Sequence, residues 1–95
     1  MATTVGLMHL ELTVPQAGNL KDKRRIVKGF KDRLTNRFNV SVAEVGGQEE
    51  YRRTTLALAM VGNDRRYIEG KLQKILNMGT THRDMILVEQ NIEWL

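Results

Sequence analysis

The spacing of apolar residues along this chain switches from every second position to helical spacing and back, twice over, and that order confines it to few folds. Met8, Leu10, Leu12 and Val14 alternate with Leu7, His9, Glu11 and Thr13, the signature of a strand with one strongly apolar face. Pro15 to Gly18 breaks the strand. Asn19 is a good N-cap, and Asp22, three residues on, is placed to reach back toward the freed amide, so a helix starts there. Ile26, Val27, Phe30, Leu34 and Phe38 then fall within an arc of about 120° that is expected to be buried, and Arg37 and Asn39 close the helix. Residues 40–45 read as a second strand. Gly46 and Gly47, followed by Gln48, Glu49 and Glu50, supply a hairpin connection to a third strand at 53–61. That strand carries Leu56, Leu58 and Met60 on one face and the smaller Thr55, Ala57, Ala59 and Val61 on the other. Asn63 or Asp64 caps a second helix with Ile68, Leu72, Ile75 and Leu76 at helical spacing, and Gly79 ends it. Ile86, Val88, Ile92 and Trp94, interrupted by Gln90, are expected to form the apolar face of a fourth strand.

The order β, α, β, β, α, β in so short a chain most economically gives a ferredoxin-like α+β fold, a four-stranded antiparallel sheet with both helices on one face. Two right-handed crossovers put the first and third strands in the centre. RRIVKG at 24–29 and RRYIEG at 65–70 echo the pseudo-symmetry of the two halves. A chain of 95 residues supports one such domain, 1–95, and one core. The sequence has no cysteine, which excludes disulfides, thiolate zinc sites and a cysteine nucleophile and fits a cytoplasmic location. The opening MATTVGLMHLELTVP lacks a basic n-region, and His9 and Glu11 interrupt its apolar residues, so neither a signal peptide nor a membrane span is expected.

Charge is the feature that points to a partner. Residues 19–38, NLKDKRRIVKGFKDRLTNRF, carry eight lysines and arginines against Asp22 and Asp32, a net +6 in a chain whose total is +4. On a helical wheel counted from Ile26, Lys31, Arg24, Lys28, Lys21 and Arg25 lie between about 140° and 260°, opposite the apolar stripe, with only Asp32 among them. Lys21, Arg25 and Lys28 line up along two turns, where they are spaced to meet successive phosphates of a nucleic-acid backbone. The alternative is a charged face that is simply solvated, diluted by its acidic neighbours.

LKDKRR at 20–25, RFNVSVAEV at 37–45, NDRR at 63–66 and the terminal EWL at 93–95 resemble the YlxP-like proteins, a family of small uncharacterised bacterial proteins, and the match extends over nearly the whole chain. The resemblance implies the same ferredoxin-like fold, a bacterial cytoplasmic setting, and genes lying among those for transcription elongation, translation initiation and ribosome maturation. It brings no catalytic residues. Here Asn19 and Asp22 stand where Ser and Glu are usual, and Gly46 and Gly47 replace bulkier polar residues.

The leading expectation is therefore a non-enzymatic accessory protein that touches RNA or the ribosome through Lys21, Arg24, Arg25, Lys28 and Lys31. Lys23 and Arg37 fall inside the apolar stripe, at about 60° and 20° on the same wheel, and are expected to snorkel past the core edge. Lys23 has a second reading as an anion ligand. Arg65 and Arg66, at the start of the second helix, could likewise clamp a phosphate, although Asp64 would compete for the same positive end. The open sheet face, with Leu7, His9, Ala57, Ala59 and Val61, is a small-residue apolar surface that a second copy, a protein partner or a flat ligand would cover. An RNA-recognition-motif mode would need stacking aromatics on the central strands, and the third strand has none. His9, Glu11 and Glu44 are the one grouping suited to acid–base work if they meet. With His9 and His82 as the only imidazoles, in different elements, neither a metal nor another cofactor is expected. Trp94 reads as a packing residue of the last strand.

Overall fold

A computed structural model describes residues 2–95; Met1 of the expected domain lies outside the described residues. Strand β1 (Thr4–Thr13) leads to helix α1 (Leu20–Arg37), strands β2 (Ser41–Gly46) and β3 (Arg53–Gly62), helix α2 (Arg65–Thr80) and strand β4 (Ile86–Trp94). The sheet is antiparallel, in the order β2-β3-β1-β4, with β1 and β3 central. This is the ferredoxin-like α+β fold.

Each element forms for a local reason. Asn19 caps α1 by accepting the Asp22 amide at 2.8 Å, and Asp22 reaches back to the amide of Gly18 at 3.1 Å, one residue before the cap. Asp64 caps α2 by accepting the amides of Arg66 and Tyr67. Met8, Leu10 and Leu12 of β1 and Leu56, Leu58 and Met60 of β3 form the inner face of the sheet. They join Val27, Phe30, Leu34, Ile68, Leu72 and Ile75 in one buried cluster, so both helices pack on that face. Burying a leucine or phenylalanine is worth about 1.5–3 kcal/mol, so this cluster dominates the favourable side of folding. The second helix lies very close to β1: a Cβ on Gly6 would meet Ile68 Cγ2 at 2.9 Å and Leu72 Cδ1 at 3.0 Å.

The last strand departs from its expected phase. The pairing of β1 with β4 shifts between Glu11 and Leu12: Glu11 faces Glu89, but Leu12 faces Leu87. One extra residue in β4 reverses the alternation beyond that point. Leu87 therefore turns inward beside the core, while Ile86 and Val88, expected inside, are exposed. Ile92 and Trp94, on the near side of the bulge, keep the expected orientation and pack against the core.

Candidate nucleic-acid interface

The stripe that buries Val27, Phe30 and Leu34 fixes the rotation of α1, which leaves Lys21, Arg24, Arg25 and Lys28 exposed on its outer side. Among the described residues Lys21, Arg24 and Arg25 form no ion pair. Lys28 donates to Asp32 Oδ2 at 2.8 Å, a bond that holds its ammonium more basic than usual. Both side chains remain mostly in water, 76% and 56% exposed, so the pair is screened and readily exchanged for a phosphate. Lys31 is largely covered, with only part of its surface exposed. Its charge helps to lower the pKa of Glu44, which sets it at the β2 side of the face.

The structure corrects both readings of Lys23. The residue does not snorkel, and no donor is left for an exogenous anion. Its side chain is fully buried, and the ammonium donates to Glu44 Oε2 at 2.8 Å, the Gly47 carbonyl at 2.7 Å and the Arg53 carbonyl at 3.3 Å. An ammonium has three N–H bonds, and all three are used within the protein. Glu44 also accepts from Thr54 Oγ1 at 2.5 Å. Burial pushes the Glu44 carboxyl up, but the hydrogen bonds from Lys23 and Thr54 and the charges of Lys23 and Lys31 outweigh it, leaving its pKa below the ordinary value of 4.5. Gly47 completes the arrangement at φ 73°, where a Cβ would lie 2.9 Å from the Arg53 carbonyl oxygen. A left-handed residue at this turn brings its carbonyl to the ammonium.

The grouping of His9, Glu11 and Glu44 does not form. Glu44 pairs with Leu56 across β2 and β3 and faces the helices, while Glu11 lies on the open face, accepting from Thr55 Oγ1 at 3.1 Å. On that open face Leu7 lies opposite Ala59 and His9 opposite Ala57, as expected, and Val5 lies opposite Val61. Val61 and Val45 are about half-exposed, at 57% and 49%. Arg65 is engaged within the protein. The guanidinium of Arg65 sits over the Trp94 ring at 4.4 Å and faces Glu69 at 3.6 Å, and Asp64 already fills the positive end of α2. An anion clamp at that terminus thus gives way to a self-capped helix. Among the described residues no three His, Asp or Glu side chains gather as a metal site would require.

One cationic feature escaped sequence reasoning. A groove of about 690 Å³ runs between α1 and the segment joining α2 to β4, lined by Arg25, Arg33, Arg37, His82, Arg83 and Asp84 above Ile26, Phe30 and Met78. On the same wheel Arg33 falls at about −20° and Arg37 at about 20°, the border between the buried stripe and the outer face. Arg33 was legible as a border position. That Arg83 and His82 approach it from another element was not.

The β2-β3-β1-β4 sheet with its helices on one side and a cationic outer helix defines a ferredoxin-like domain with a basic face. The family model described as "Protein of unknown function (DUF503)" matches residues 5–92, and the chain belongs to that family. It is 38% identical over 72 residues to "Uncharacterized protein YlxP" of Bacillus subtilis (strain 168), covering 76% of this chain and 78% of that protein. Among solved structures, the de novo designed protein Foldit4 is similar at TM-score 0.56 and 14% identity, over 98% of this chain and 96% of that one. The de novo designed protein Ferredog-Diesel is similar at TM-score 0.53 and 14% identity, over 98% and 86%. These two likenesses speak for the fold alone.

Proposed function

We propose that the protein is a non-enzymatic, cytoplasmic accessory factor that binds RNA, on the ribosome or during its maturation, through the outer face of α1. The observation that carries this reading is the exposure of Lys21, Arg24, Arg25 and Lys28 along one side of α1, with Asp32 the only acid paired to any of them among the described residues. Each phosphate neutralised by such a side chain releases counterions, so three to five contacts give a salt slope of about −2 to −4 in log units. Contacts to phosphates carry no sequence information, so affinity without sequence preference is the expected behaviour. The gene surroundings implied by the family resemblance favour the ribosome as the setting. Co-sedimentation with ribosomal particles at low and moderate salt tests the reading. Arg25→Glu plus Lys28→Glu is expected to release the protein, and unchanged sedimentation would remove the helix face from the interface.

A second reading rests on the open sheet face, where Val61 and Val45 stay about half-exposed beside Leu7, Ala57 and Ala59. A second copy of the chain, or a partner protein, would bury that surface. Mass in solution distinguishes the dimer: a dimer dispersed by Ala57→Arg supports it, and a wild-type monomer at high concentration rules it out.

A further inference from the structure

We propose that the groove between α1 and the α2–β4 connection is a phosphate-binding site, built by Arg25, Arg33, Arg37 and Arg83 around His82. The phosphate it takes, if the RNA reading above holds, is a backbone phosphodiester of the bound strand.

Three features of the groove support this site. First, its lining carries four guanidinium groups and a single carboxylate. Among the described residues Arg25, Arg33 and Arg37 form no ion pair, and Asp84 pairs with Arg83 alone, at 3.8 Å. Like charges gathered in a concave surface repel one another, and a bound phosphate oxyanion relieves part of that repulsion. Planar guanidinium forks match phosphate oxygens two at a time, which lysines do not.

Second, the arginines are positioned without being consumed. Arg33 lies over the Phe30 ring at 6.0 Å, and Arg37 contacts the Met78 sulfur at 3.8 Å. Both contacts orient a guanidinium while leaving most of its N–H groups unused.

Third, His82 is held as a donor. Its Nδ1 accepts the Asp84 amide at 2.9 Å, and its ring packs edge-on against Phe30 with centroids 5.4 Å apart. A backbone N–H only donates, so the neutral ring carries its proton on Nε2, which is left to meet an anion. Burial first and the charge of Arg33 second hold this imidazole less basic than usual; Asp84 opposes them, and Arg83 adds the smallest lowering effect. Met78 of α2 and Thr81, just beyond its end, add no charge to the groove. A bound phosphate would offset the charges of Arg33 and Arg83 and so raise the basicity of His82, whose second proton goes on Nδ1 in place of the Asp84 amide bond. By linkage, the same phosphate binds more tightly as His82 takes up its proton.

The protein carries its own control, because its only other histidine, His9, lies on the opposite, open face of the sheet. The experiment follows both imidazoles by NMR across pH 5–8, alone, with inorganic phosphate, and with a single-stranded RNA decamer lacking terminal phosphates. The expected result is an upward move of the His82 midpoint by half a unit or more with the RNA, with His9 unmoved. Arg33→Gln plus Arg83→Gln should abolish that move and weaken RNA binding by about tenfold at fixed salt. A shift with inorganic phosphate but none with the decamer keeps the site, assigns it to a free phosphorylated ligand, and counts against the RNA reading. A His82 midpoint that neither probe moves, while Lys21→Glu plus Arg24→Glu still releases RNA, overturns the groove and leaves the helix-face reading intact.

Discussion

Lys21 and Lys23 stand two residues apart on one helix, and their surroundings are opposite. Lys21 projects into water with no acidic partner among the described residues, whereas Lys23 is fully buried and bonded to Glu44 and two carbonyls. One rotation of about 200° separates a surface cation from an internal one. The difference shows that a count of positive charges in a segment overstates its surface potential. Of the eight cations in residues 19–38, Lys23 contributes nothing to a partner and Lys28 is shared with Asp32. Lys21, Arg24, Arg25 and Lys28 still form a coherent face, because the stripe that buries Phe30 and Leu34 turns them outward together.

The contrast can be tested, beginning with its inner side. Lys23→Ala should lower stability by about 3–5 kcal/mol, since it strands Glu44 and leaves two carbonyls without their donor. Urea denaturation measures this, and a loss under about 1 kcal/mol would mean that the buried pair is dispensable. Gly47→Ala strikes the same cluster through the backbone and should cost about 1–3 kcal/mol, because φ is left-handed there and the new methyl meets the Arg53 carbonyl.

The outer side should behave in the reverse manner. Lys21→Glu plus Arg24→Glu is expected to change stability by less than about 0.5 kcal/mol while reducing RNA affinity by about tenfold or more at low salt. Filter binding and thermal melting on the same samples separate the two quantities. A variant that loses both would show that the face is structural.

Acid should lower stability in two steps, the first at His82 in the groove and the second at Glu44 in the inner cluster. His82 has a folded pKa below its ordinary 6.5, so the unfolded chain binds the proton first and stability starts to fall as pH drops below that value. Glu44 has a folded pKa below its ordinary 4.5; the stability it contributes is whole above that value and is lost as pH falls through the folded one. Melting temperature against pH should descend in both windows. His82→Gln should flatten only the upper step, and a profile identical to wild type would exclude His82 as its source. The smallest effect is reserved for the exposed pair: Asp32→Asn should leave the melting curve in place and tighten RNA binding two- to threefold, about 0.4–0.6 kcal/mol.

Short-range chemistry made much of this molecule readable in advance. Alternation in β1 and β3, the stripe of α1, the Asn19 cap, a cap at Asn63 or Asp64 and the order of the six elements each depend on neighbours within a few residues, where periodicity and capping act. The same arithmetic placed Lys21, Arg24, Arg25 and Lys28 outside and marked Lys23 as lying within the apolar stripe. Tertiary structure alone decided the rest. Glu44 turned toward Lys23 rather than His9 because the pairing of β2 with β3 set its face. The bulge opposite Glu11 exposed Ile86 and Val88, since one inserted residue reverses a two-residue period. Arg33, Arg83 and His82 became one groove only when α1 packed beside the end of α2, and no pattern along a single element encodes a meeting between two.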